Sequence, residues 1–82
     1  MARRVVVKMF ESRVSVLTNQ IMHEIPTVYM KPLVGEFDRE KGLPIEIVVF
    51  AINEEECNAK MRKAIENLRS LVDEKGGILK IM

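Results

Sequence analysis

The sequence predicts an α+β domain in which a four-stranded antiparallel sheet carries two helices on one face. Two observations lead to this prediction. A long helical pattern covers residues 54–75, and short segments rich in β-branched residues lie on both sides of it. The chain has 82 residues, which is the length of one domain, spanning residues 1–82, with one core.

The predicted helix over residues 54–75 has a start signal, an apolar face and a stop signal. Asn53 is a favourable N-cap, and Glu56 follows three residues later, as in a capping box. The glutamates at 54–56 place negative charge where the helix dipole favours it. Apolar residues recur at helical spacing along one face: Cys57, Met61, Ala64, Ile65, Leu68, Leu71 and Val72. Gly76 and Gly77 then end the helix.

Four segments have the composition of strands. Residues 44–52 form the strongest candidate, because they are rich in β-branched residues and begin with a proline. A polar turn at 38–42 joins them to a partner strand within residues 27–37. Pro32 inside that partner places it at a sheet edge, where a missing N–H donor is tolerated. Residues 4–10 and 78–82 are the other two predicted strands.

The segment 12–25 admits two interpretations. Its apolar residues Val14, Leu17, Ile21, Met22 and Ile25 fit one face of a helix that stops at Pro26. Residues 13–18 also alternate like a strand, which would fold back on the first strand as an N-terminal β-hairpin. We favour the helix because Glu-Ser is a poor two-residue hairpin turn. The resulting order, β-α-β-β-α-β, is that of ferredoxin-like domains.

In this topology the helices leave one face of the sheet open. The two central strands are largely apolar on both faces, whereas a sheet with one wet face should alternate apolar with polar residues. We therefore predict a subunit or ligand interface on the open face, and a homo-oligomer that covers it. The candidate interface residues are Val6, Phe10, Val48, Phe50 and Ile52. The alternative is that loops and long side chains such as Lys8 cover this face within one chain.

Composition excludes several classes of protein. With one cysteine and one histidine, the chain can form neither an internal disulfide nor a tetrahedral zinc site of nitrogen and sulfur ligands. The net charge of +1 argues against a dedicated nucleic-acid binder. No segment has the length of a membrane span, and no export signal is evident, so we predict a cytoplasmic protein. A single glutamine among many charged residues is typical of thermophilic sources.

No catalytic, cofactor-binding or metal-binding residue is predicted. Cys57 shares the apolar face of its helix, and the three preceding glutamates oppose a thiolate, so we interpret it as a core residue. His23 lies beside Glu24 without a nucleophile nearby, which favours an exposed histidine. The acidic residues before Gly42 miss the spacing of a calcium-binding loop. No phosphate-binding or dinucleotide-binding motif is present.

These observations favour a non-enzymatic, self-associating module that regulates or binds a ligand. The alternative function is a single-stranded nucleic-acid binder in which Phe10 and Phe50 stack on bases. An enzyme whose site is assembled from two chains around His23 is a third class that the sequence leaves open. The identity of the ligand is beyond the sequence.

Overall fold

The computed structural model describes residues 1–9 and 11–82, and of Glu11 it describes the backbone alone. The elements in chain order are β1 (Ala2–Lys8), α1 (Glu11–Glu24), β2 (Val28–Pro32), a 3₁₀ turn (Val34–Glu36), β3 (Leu43–Val49), α2 (Glu54–Glu74) and β4 (Ile78–Ile81). The strands form one antiparallel sheet in the order β2-β3-β1-β4. The predicted ferredoxin-like βαββαβ order is therefore confirmed. The N-terminal hairpin alternative is wrong, because α1 occupies the segment in question.

One face of the sheet and the inner faces of both helices form the core. Alternate residues of each strand point to this face, so β3 buries Leu43, Ile45, Ile47 and Val49 while the residues between them are half-buried. The other buried residues are Val5, Val7, Val28, Met30 and Leu79 from the sheet, and Val14, Leu17, Thr18, Ile21, Met61, Ala64, Ile65, Leu68 and Val72 from the helices. The apolar faces predicted for both helices thus face the sheet.

The ends of α2 are capped as the sequence predicts. The side-chain oxygen of Asn53 accepts a hydrogen bond of 2.8 Å from the backbone N–H of Glu56. At the other end, Gly76 has a φ of 76°. The N–H groups of Gly76 and Gly77 donate to the carbonyls of Asp73 and Val72, which is the Schellman pattern. Both ends of the helix therefore satisfy backbone groups that would otherwise lack partners.

The strand limits differ from the predicted ones. β1 begins at Ala2, because Met1 already exchanges two backbone hydrogen bonds with Val49. β3 ends at Val49 rather than at residue 52: Phe50 still donates to the carbonyl of Thr27, and the chain then bends toward the α2 N-cap. β2 lies at the sheet edge, as Pro32 predicts, and the 3₁₀ turn shortens it.

The open face of the sheet is not uniformly apolar. Arg4 lies on this face opposite Glu46, which in turn lies opposite Lys31 on β2. Arg4 also forms ion pairs with Glu36 at 3.4 Å and with Glu46 at 3.8 Å. A charged row therefore crosses the sheet. In the part of the chain that the structure describes, neither helix is both long and apolar enough to cross a membrane.

Candidate anion-binding pocket

Three connections leave the sheet at the same end, and positive side chains lie in or beside each of them. β1 ends with Lys8, and the first turn of α1 that follows contains Arg13. The β2–β3 connection contains Arg39, and Lys75 is the C-cap of α2, just before β4. These four side chains line one pocket of about 540 Å³, together with Met9, Phe37, Gly42 and Gly76. We call it the basic pocket.

Two glycines hold the three connections close together. Gly42 has a φ of 113°, and a Cβ atom at this position would lie 2.6 Å from the carbonyl oxygen of Val7. A Cβ atom on Gly77 would lie 2.9 Å from the side chain of Val72 and 3.0 Å from the carbonyl oxygen of Lys8. The distances to Val7 and to Val72 are shorter than a Cβ atom tolerates, so glycine permits the close packing of these connections. The walls of the basic pocket depend on this packing.

Asp38 fixes the loop that carries Arg39. One of its carboxylate oxygens accepts hydrogen bonds from the backbone N–H groups of Glu40, at 2.8 Å, and Lys41, at 3.0 Å. Its own backbone exchanges two further hydrogen bonds with Gly42. The N–H donors of Lys41 and then of Glu40 hold the pKa of the Asp38 carboxyl below its ordinary value. The carboxylate is therefore held by hydrogen bonds within its own turn.

The electrostatic character of the basic pocket is positive. No carboxylate is among its described lining residues, and the four cations are exposed. Among the described side chains, none of the four has a carboxylate oxygen within 4.0 Å. In the last turn of α2, the carbonyls of Val72 and Asp73 accept N–H donors from the Schellman turn. The cations thus have their charge available for a ligand.

The basic pocket also offers apolar surface. Met9 is half-buried against the core, and the ring of Phe37 is exposed beside the cations. Positive charge together with an exposed aromatic ring suits an anion that carries a flat or apolar group. The described lining residues can therefore bind both parts of such a ligand.

A second cleft contains arginines but is less suited to an anion. It lies between α2 and the β4 edge, has a volume of about 280 Å³, and contains Arg3, Arg62 and Arg69. Glu66 lines the same cleft and offsets part of their charge. The basic pocket is larger and has no such carboxylate among its described residues.

The structure distributes the predicted interface residues over two regions. Val6 and Val48 both lie half-buried on the open face, but the row containing Arg4 and Glu46 separates them. Phe50 and Ile52 follow the end of β3 at the opposite end from the basic pocket, and they are 66% and 95% exposed. Phe10 lies outside the described residues.

The residues considered for catalysis lie apart from the basic pocket. His23 is exposed on the last turn of α1, and Cys57 is half-buried against the core. Within residues 1–9 and 11–82, no three His, Cys, Asp or Glu side chains are grouped so that they could hold a metal ion.

Sequence reasoning missed the basic pocket because its cations are far apart in the chain, from Lys8 to Lys75. The topology contained a usable signal. In a βαββαβ domain the β1–α1, β2–β3 and α2–β4 connections all leave the same end of the sheet. Cations in or beside all three connections therefore indicate a positive cluster.

Comparison of the sequence with protein-family models and with curated proteins found no match. The function is accordingly inferred from the residues of this chain.

Proposed function

We propose that this protein is a non-enzymatic module that binds an anionic ligand in the basic pocket. The observation that carries the proposal is the convergence of Lys8, Arg13, Arg39 and Lys75 on one pocket that has no carboxylate among its described residues. Four cations without a carboxylate partner among the described side chains repel one another, so a bound anion relieves that repulsion and gains charge-assisted hydrogen bonds.

The chemistry of the pocket favours a phosphate-containing ligand over a simple carboxylate. Two arginines supply planar donors that match phosphate oxygens, and two lysines supply compact charges. A volume of about 540 Å³ exceeds what one phosphate group fills, and falls in the range typical of pockets for small organic molecules. A phosphorylated metabolite or a nucleotide fits both the charge and the size.

Calorimetric titration with pyrophosphate tests the proposal. The variant that removes two cations is Arg39→Ser with Lys75→Ser, since both side chains belong to connections rather than to the core. Each lost charge-assisted contact should weaken binding by about tenfold, so the double variant should bind roughly a hundredfold more weakly. Lys63→Ser is the matched control, because Lys63 is exposed on α2 and lines none of the clefts described above.

Three results would contradict the proposal. The first is the absence of pyrophosphate binding to the unmodified chain at millimolar concentration and low salt. The second is equal pyrophosphate affinity of the double variant and the wild type, and the third is an equal loss of affinity in Lys63→Ser. Either of the last two would mean that the anion does not bind in the basic pocket.

Self-association is a second candidate function, and a different observation favours it. Tyr29, Phe50 and Ile52 are exposed at the end of the sheet opposite the basic pocket. A chain of this size buries a limited share of its own surface, so covering apolar residues with a second copy adds stability. In the predicted homo-oligomer, Tyr29, Phe50 and Ile52 would form the interface together with Val48.

Light scattering at micromolar concentration tests this candidate. The expected result is a mass above that of the 9.4 kDa chain, and a shift toward the monomer in the Phe50→Ser, Ile52→Ser double variant. Val16→Ser is the control, because Val16 is an exposed apolar residue on the outer face of α1. A wild-type monomer would remove this candidate and leave the anion-binding proposal standing.

A further inference from the structure

Another basic cleft, different from the one between α2 and β4, adjoins the basic pocket on the open face of the sheet. Its described lining residues are Val6, Lys8, Glu40, Lys41, Ile78, Lys80 and Met82, and its volume is about 380 Å³. We call it the sheet-face cleft. Lys8 lines both cavities, so the two are neighbours that share one side chain.

The register of the sheet explains why these residues come together. Val6 lies opposite Lys80, and Lys8 lies opposite Ile78, so all four point to the open face while their neighbours Val7 and Leu79 are buried beneath the helices. The loop held by Asp38 brings Lys41 to the same cleft. The cations of this cleft are therefore positioned by strand pairing and by a fixed turn.

The two cavities together form a continuous basic track. From α1 to β4 it contains six cations, namely Arg13, Lys75, Arg39, Lys8, Lys41 and Lys80. Glu40 is the one acidic side chain among the described lining residues of either cavity. A compact anion needs only part of such a track, whereas a chain of phosphates can contact cations along all of it.

Apolar side chains lie between the cations of the track. Phe37 and Met9 line the basic pocket, and Val6, Ile78 and Met82 line the sheet-face cleft. The side chains of Phe37, Ile78 and Met82 are exposed. A linear inorganic polyphosphate gains nothing from such surface, whereas the bases of a single-stranded nucleic acid can stack on the Phe37 ring and pack against the aliphatic side chains.

We infer that the ligand of the basic track is a single-stranded nucleic acid. Its phosphates contact the six cations, and at least one of its bases stacks on Phe37. This inference rests on the proposed function, because it assigns an extended ligand to the same pocket. The track differs from a stacking platform built on Phe50, since Phe50 lies at the other end of the sheet beside the glutamates that begin α2.

The net charge of the chain does not conflict with this inference. Thirteen basic residues nearly balance twelve acidic ones, but the field that a phosphate chain meets is set by the residues within about 10 Å of it. Glutamates 54–56 lie at the opposite end of the sheet, on the first turn of α2. These glutamates therefore do not oppose a phosphate chain that lies along the track.

The experiment measures the affinity of an eight-nucleotide oligo-dT by fluorescence anisotropy, beside calorimetric titrations with pyrophosphate and with an inorganic polyphosphate of equal charge. The oligonucleotide should bind more tightly than either. With four to six phosphates contacted, the logarithm of its binding constant should fall with the logarithm of salt concentration with a slope of about −3 to −4.

The Lys41→Ser, Lys80→Ser double variant distinguishes the contribution of the sheet-face cleft to binding from that of the basic pocket. It should reduce the salt slope for the oligonucleotide by about 1.4, or 0.7 for each lost phosphate contact, and leave pyrophosphate affinity unchanged. Phe37→Ser should weaken oligonucleotide binding by roughly fivefold or more. Lys63→Ser should change neither affinity.

Three outcomes would overturn the inference while leaving the proposed function intact: oligo-dT binding no more tightly than pyrophosphate, polyphosphate binding as tightly as oligo-dT, or the Lys41→Ser, Lys80→Ser variant leaving the salt slope unchanged. If pyrophosphate itself fails to bind, the proposed function fails first and this inference fails with it.

Discussion

The two ends of the sheet differ in the chemistry of their connections. At one end, the β1–α1, β2–β3 and α2–β4 connections bring Lys8, Arg39 and Lys75 to a single pocket. At the other end, the β3–α2 connection exposes Phe50 and Ile52 and then runs into three glutamates on the first turn of α2. A chain with a net charge of +1 thus has a basic end and an end that is apolar and acidic.

The backbone geometry thus separates charges that are mixed along the sequence. The basic end depends on two glycines that pack against β1, whereas the opposite end depends on an N-cap. A substitution of either glycine, or of the N-cap residue, should therefore affect its own end of the molecule.

The largest effect is expected at Gly42, because it supports the basic end. Gly42→Ala would add a Cβ atom 2.6 Å from the carbonyl oxygen of Val7 at a φ of 113°. Backbone strain and overpacking together should lower the free energy of unfolding by roughly 2–4 kcal/mol, as measured by urea denaturation. The control is Gly35→Ala, since a Cβ atom there meets nothing within 4 Å. Equal stability of the two variants would show that the close approach to β1 is not needed.

A smaller effect is expected at the opposite end. Asn53→Ala removes the acceptor for the N–H of Glu56 and should lower the free energy of unfolding by about 1 kcal/mol. Asn58→Ala in the same helix is the matched control. It removes no cap and should be neutral or slightly stabilising, because alanine has the higher helix propensity. Pyrophosphate affinity should be the same in both variants, and a loss of affinity in Asn53→Ala would contradict the separation of the two ends.

The smallest effect concerns the pH dependence of the loop that carries Arg39. Because the folded-state pKa of Asp38 is lowered, its carboxylate stabilises the fold fully above the ordinary value of 3.8. That contribution is lost as the pH falls through the lower folded-state pKa. Titration of the carboxyl carbon by NMR should give a midpoint below 3.8, and Asp38→Asn should remove this part of the acid dependence of stability. A midpoint at or above 3.8 would mean that the two N–H donors do not hold the carboxylate.

Most of the fold follows from the sequence, because local signals and tertiary packing agree in it. In α2 the N-cap, the apolar face and the terminal glycines all indicate the same helix, and the structure places each of them as predicted. The segment of α1 was ambiguous, because Val14, Leu17 and Ile21 satisfy a helical face while residues 13–18 also alternate. Burial of those three side chains against the sheet favours the helix.

The functional region was harder to predict, for physical reasons. The open face was predicted to be largely apolar because Val6, Val48, Phe50 and Ile52 outnumber Lys8 and Glu46 on it. In the structure Phe50 and Ile52 lie beyond the end of β3, and Arg4 on the open face forms an ion pair with Glu46. The basic pocket depends on close contacts between segments more than thirty residues apart, such as Gly42 with Val7. Periodicity along the chain contains no information on such contacts.

The most direct test of the central claim is a pyrophosphate titration of the ¹⁵N-labelled chain, followed residue by residue through backbone amide shifts. We predict that the amides of Lys8, Arg39, Gly42 and Gly76 shift together and saturate with one dissociation constant. The amides of Phe50, Ile52 and Asn53 should remain unchanged. Shifts confined to the Phe50 end, or spread evenly over the surface without saturation, would contradict the assignment of the anion site to the basic pocket.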